Sequence, residues 1–174
     1  MTWRIALALL VLLCAGCERD SHKPQAQLDY QGINSEGNGL YVIHYASDMD
    51  LLNIFSRADG EGQLSTLICS LDGDSVFARD HIIEKKFDGV IGINGTTPGP
   101  PFLFATEGTF NYVHNKLGDT RDFEPAELKQ LLLKQQYVVC KAMITVFGYA
   151  GYQSKPMLIP ASDIQRVVNM PAGE

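Results

Sequence analysis

The run YVVCKAMITV, Tyr137 to Val146, alternates in polarity with a period of two. In an extended chain successive side chains point to opposite sides, so Val138, Cys140, Ala142, Ile144 and Val146 share one face. Tyr137, Lys141, Thr145 and, further on, Tyr149 share the other. A strand with one apolar face must pair sideways and bury that face against a second layer. The rest of the chain therefore has to supply neighbouring strands and a cover.

Candidate neighbours are plentiful. LYVIHYA (Leu40 to Ala46), LLNIFSR (Leu51 to Arg57) and QLSTLICSL (Gln63 to Leu71) are short apolar runs, separated by the turn-rich SDMD and by ADGEGQ. The Asp-Gly pair in the latter is a hairpin signal. DGDS makes another turn, and SVFARD and HIIEKKFDGVIGI continue the strand pattern. NGTTPGPP (Asn94 to Pro101) reads as a loop, because its prolines cannot donate to a central ladder. FLFATEGTFNYVHN predicts two strands joined near Glu107-Gly108. DFEPAELKQLLLKQQ predicts a helix, with Asp122 as cap, Pro125 in the first turn and Leu128, Leu131 and Leu132 on a narrow buried stripe, leaving Lys129 and Lys134 in water. PMLIP pairs with the long strand as a hairpin, and ASDIQRVVNM gives a short helix turning Ile164, Val167 and Val168 inward. The expected class is α+β: a mostly antiparallel sheet with one or two packed helices.

The N-terminus carries a different signal. Arg4 is the only charge in a short positive head, Ile5 to Leu13 is unbroken apolar sequence, and Ala15-Gly16 are small. That order is a secretory leader. The apolar run is far shorter than the roughly 20 residues a spanning helix requires. Cys14-Ala15-Gly16-Cys17 resembles the lipobox of bacterial lipoproteins, whose usual form is Leu-Ala-Gly-Cys, with Cys14 standing where the family prefers Leu. The resemblance implies that Cys17 becomes the first residue of the mature chain and carries a diacylglycerol thioether and an N-acyl chain. It also implies anchorage in a bilayer. By analogy with the sorting of enterobacterial lipoproteins, Glu18 rather than Asp after the cysteine implies the periplasmic face of the outer membrane, with the inner membrane as the alternative. The expected organisation is a signal peptide over 1–16, a lipid-anchored polar tether over 17–38 and one periplasmic domain over 39–170. Within the tether, Leu28 to Ile33 is a candidate edge strand.

With Cys14 removed and Cys17 acylated, Cys69 and Cys140 remain. In an oxidising compartment they are candidates for one disulfide, with two buried free thiols as the alternative. Of 14 basic residues Arg4 leaves with the leader, so 13 face 20 acidic ones, a net charge of −7. That balance argues against a nucleic-acid partner. Much of the excess lies early, at Asp48, Asp50, Asp72 and Asp74 among others, and reads either as solvated turns or as an acidic face for a basic partner.

Catalytic signals are scarce. The mature sequence holds no G-x-S-x-G, H-E-x-x-H or S-x-x-K motif. Asp72, Asp74 and Glu84 resemble a calcium loop, but Phe77 stands where the loop needs Gly and Glu84 arrives one residue late. His44, His81 and His114 do not cluster in sequence. No catalytic residue, metal ligand or cofactor is assigned. Candidate contact residues are Asp48, Asp50, Asp72 and Asp74, together with Phe147, Tyr149 and Tyr152 around the glycines of VFGYAGY. The expected role is a non-enzymatic protein-binding lipoprotein, for instance an immunity protein against a toxin delivered by a secretion system. The alternatives are an accessory subunit of an envelope complex and, more remotely, a small-ligand binder or hydrolase.

Overall fold

The computed structural model describes residues 23–55, 62–78, 80–95, 99–115, 118–147 and 151–169. The expected leader, Cys17, the expected turn at Asp59-Gly60 and Tyr149 lie outside the described residues. Among the described residues nine strands form one antiparallel sheet: β1 (Leu28–Gly37), β2 (Leu40–Ser47), β3 (Leu64–Ser70), β4 (Lys85–Ile93), β5 (Phe102–Val113), β6 (Thr120–Asp122), β7 (Tyr137–Thr145), β8 (Tyr152–Gln153) and β9 (Met157–Pro160). Within the described residues two helices complete it, α1 (Pro125–Leu132) and α2 (Ala161–Val168). The strand order is β1-β2-β5-β4-β3-β7-β8, with β6 beside β5 and β9 beside β7. The α+β class and the antiparallel sheet are as the sequence predicts.

The alternation in β7 is realised. Val138, Cys140, Ala142 and Ile144 are fully buried, and Val146 nearly so. Cys140 lies directly opposite Cys69 on β3, and the two are joined in a disulfide. PMLIP pairs with β7 as expected, Val138 facing Ile159 and Cys140 facing Met157. Helix α2 turns Ile164, Val167 and Val168 into the core.

Several expectations are corrected. The described residues of SVFARD are not extended into the sheet as a strand. Asp122 is not the helix cap, since it ends β6 and Glu124 is the cap. The domain does not start at residue 39, because β1 already spans Leu28–Gly37 and pairs along β2. Its inward residues Leu28 and Ile33 are an odd number of positions apart, since a bulge between Tyr30 and Gly32 shifts the register. Asn38-Gly39 makes the hairpin turn, at φ of 53° and 78°, the backbone that two-residue hairpins of right-handed twist require. LLNIFSR is not a strand over its described part. Asp50 accepts from the Leu52 N–H (3.1 Å) and from the Asn53 side chain (2.7 Å), folding the chain into a turn. Leu51, Ile54 and Phe55, three and four apart, are thereby plugged into the core. Finally, β5 is one strand of 12 residues with no break at Glu107-Gly108.

The sheet curls until its edges approach one another. β9 and α2 both contact β1. The Lys155 N–H donates to Ala26 O (2.9 Å), and the Tyr30 hydroxyl reaches Asp163 (3.1 Å). Inward side chains of all the long strands merge into a single core with Leu128 and Leu132 of α1 and the buried face of α2.

Candidate functional site

The register fixes which loops share an end. Ser47 lies opposite both Leu28 and Phe102, Ile93 opposite Phe104, and Leu64 opposite Thr145. The entry to β1, the exits of β2, β4 and β7 and the entries to β3 and β5 therefore form one rim. Ser70, Lys86, Asn111 and Val139 are neighbours toward the opposite end, where the β1–β2 turn also lies.

This arrangement divides the acidic candidates. Asp48 and Asp50 follow β2 at the rim, whereas Asp72 and Asp74 follow β3 at the far end, so the four do not make one acidic face. Each also serves a local contact. Asp48 accepts from the Gln27 N–H (2.8 Å), and Asp72 accepts from the Ser70 hydroxyl (3.3 Å) and lies 3.9 Å from the Lys85 ammonium. Asp74 accepts from the Val76 N–H (2.9 Å) and meets His81 Nε2 at 2.5 Å. The His81 hydrogen bond, then that of Val76, holds the Asp74 carboxyl below its ordinary range. These carboxylates build turns; the solvated-turn reading describes them.

The aromatic candidates also separate. Tyr152 is only 3% exposed. Its hydroxyl accepts from the Ala26 N–H (2.6 Å) and donates to Pro24 O (2.9 Å). Burial pushes its pKa up, against the pull of the Ala26 hydrogen bond. Tyr152 is thus a core residue that holds the chain leading into β1. Phe147 is the reverse, 97% exposed on the rim.

The histidines stay apart. His44 sits between the amides of Asn34 (3.3 Å) and Asn94 (3.0 Å), and the backbone N–H of His114 donates to Asp119 O (2.7 Å). Among the described residues no group of three His, Cys, Asp or Glu side chains is arranged to hold a metal ion.

At the far end lies a cleft of about 390 Å³, which the sequence alone did not indicate. One wall is the β1–β2 turn, Gly37 to Gly39. The other is the chain entering α1, Asp122 to Pro125, and the end of α2 closes it at Val167 and Val168. The floor is aromatic: the Tyr41 and Phe110 rings meet edge to face at 4.8 Å, and Phe110 in turn packs on Phe87 (5.2 Å). Burial raises the Tyr41 hydroxyl above its ordinary pKa. Glu127 reaches back to the Glu124 N–H (3.1 Å), fixing the helix entry, while Arg121 stays on the outside, paired to Glu127 (3.0 Å) and stacked on Tyr112 (5.3 Å). The result is an apolar floor under a polar lip that includes Asp122, Glu124, Ser35 and Asn38. Such a hollow suits capture of a side chain that is apolar in its stem and basic or amide-bearing at its tip. No protein-family model matches the chain, and no characterised protein or solved structure matches it significantly.

Proposed function

We propose that the chain is a bacterial envelope lipoprotein, fastened through acylated Cys17, whose domain is a non-enzymatic module that binds another protein through the cleft at its far end. The observation that carries this reading is the cleft itself. It combines an aromatic floor with an acidic lip at the end opposite the chain's entry into β1. The Cys69–Cys140 bridge supports the exported location, since such bonds persist in oxidising compartments. The specific role put forward is immunity: occupying a basic feature of a toxin that reaches the periplasm. An envelope-complex subunit would use the same cleft on a resident partner.

The test is capture from membranes with the full lipidated chain, compared with a variant carrying Asp122→Lys and Glu124→Lys. A specific protein held by the wild type and lost with the charge reversal supports the reading. Equal recovery by both forms, or retention of a small metabolite in place of a protein, rejects it. Protection of cells against a co-expressed toxin, abolished by the same two substitutions, separates immunity from a structural role.

A further inference from the structure

The rim opposite the cleft has its own character. Ile93 ends β4, Leu64 begins β3 and Phe147 follows the end of β7, three strands that are consecutive neighbours in the sheet. Their side chains are 69%, 52% and 97% exposed. Large apolar groups gathered at one end of a domain mark a contact surface. The chain entering the domain emerges at this same end. Lys23 bonds to Ile54 O, Pro24 is held by the Tyr152 hydroxyl, and Ala26 O accepts from the Lys155 N–H.

Resting on the acylated Cys17 proposed above, we infer that this rim is a membrane-contact surface: Ile93, Leu64 and Phe147 sit at the headgroup–acyl boundary of the bilayer that holds the lipid anchor. Chain length supplies the occupant. Cys17 and Lys23 are six residues apart, a span of at most about 21 Å even when fully stretched. The nine residues of β4 alone extend about 30 Å from rim to far end. The anchor therefore keeps the rim near the surface, while the far end lies further from the exit than the linker can reach. An exposed aromatic ring flanked by aliphatic side chains suits the interfacial zone. Lys155 beside the chain exit is exposed and placed to meet lipid phosphates, whereas Lys23 is engaged with Ile54 O and the Phe55 ring. Asp48 and Asp50 at the same end are engaged in their own turns.

The test exploits a spectroscopic vacancy. The sequence has one tryptophan, Trp3, and it lies in the leader, so the mature chain has none. The F147W and L133W variants of the full lipidated protein each carry a single reporter, one on the rim and one on an exposed site of the far end. In phosphatidylcholine vesicles with brominated acyl chains, the F147W emission is expected to shift to the blue and be quenched at least about twofold, with L133W unaffected, because only shallowly inserted groups meet the bromines. Equal quenching of the two, or none of F147W, overturns the membrane contact. A blue shift of F147W in detergent-free solution without vesicles also overturns it, showing that a second copy covers the rim. The mass of the N-terminal peptide is read on the same samples. A Cys17 without acyl chains refutes the anchor, whereas an acylated chain with an unquenched F147W refutes only the seating of the rim.

Discussion

Gly89 on β4 lies directly opposite Gly108 on β5, and neither position has room for a side chain. A Cβ built on Gly89 would stand 2.1 Å from Glu107 O, and one on Gly108 2.2 Å from Asp88 O. The glycines therefore permit close approach of two central strands; they do not mark a turn. Gly108→Ala should cost about 1–3 kcal/mol, the usual range for forcing atoms into a packed interior. Chemical denaturation of the wild type and variant measures it, and an unchanged midpoint would contradict the contact.

The disulfide closes 71 residues of sequence separation between adjacent, buried strand positions. Chain-entropy reasoning gives about 4 kcal/mol for a loop of that size. Replacing both Cys69 and Cys140 by Ala should lower the unfolding free energy by about that amount, with the cavity left by the sulfurs adding to it. A loss under about 1 kcal/mol would show that the unfolded chain gains little freedom when the bridge is removed.

Tyr152→Phe leaves the Ala26 N–H without its 2.6 Å acceptor. An unsatisfied buried donor costs about 1–3 kcal/mol. Hydrogen exchange should quicken first at residues 26–28 and along β1, with the amides of β3 and β4 still protected. Uniform acceleration across the sheet would mean that Tyr152 holds more than the seam.

Stability should also fall in alkali. Burial raises the folded-state pKa of Tyr30, Tyr41, Tyr45 and Tyr152, which favours the protonated hydroxyl in the fold. In the unfolded chain these phenols ionise near pH 10. Their contribution is complete below that pH and is lost as pH rises through the higher folded-state values. Denaturation midpoints measured from pH 8 upward should decline once pH 10 is passed; a flat profile would count against the burial of these hydroxyls.

At the acid end the direction reverses. Asp74 has a depressed pKa, so its ties to His81 and Val76 are present above the ordinary carboxyl range and lost as pH falls through the folded-state value. Limited proteolysis should show the 71–84 segment cut faster below about pH 4, where carboxyls protonate. Asp74→Asn should bring some of that sensitivity to neutral pH. Identical cleavage of both forms at every pH would remove Asp74 from the segment's support.

The elements legible in the sequence are those that keep strict periodicity: β7, its partner β9, and α2 with its Ile164, Val167 and Val168 stripe. β1 is legible only in part, as the candidate edge strand over Leu28 to Ile33, because the bulge after Tyr30 breaks the alternation and because an edge strand keeps polar residues such as Gln31, Asn34 and Glu36 on its wet face. Leu51 to Phe55 were misleading for the opposite reason. They are apolar because they plug the core, yet Asp50 bends them out of the extended form. The cleft was invisible because its walls are remote in sequence. Asn38, Pro125 and Val167 come to line one hollow only after the sheet has curled and both helices have docked. Tyr152 departs from the expected contact residue because β8 resumes pairing with β7 at that position and its hydroxyl is held by Ala26 and Pro24.

The cross-strand bridge and the seam divide the molecule by strength. β3 and β7 are stapled covalently, so those two strands cannot be the pair that first comes apart. Among the described residues the gap between β1 and β9 has no covalent tie of that kind and is held by a tyrosine hydroxyl, backbone contact at Lys155 and Ala26, and α2. Opening at that seam would let the first hairpin swing away while the stapled strands persist as a scaffold on which it can re-dock.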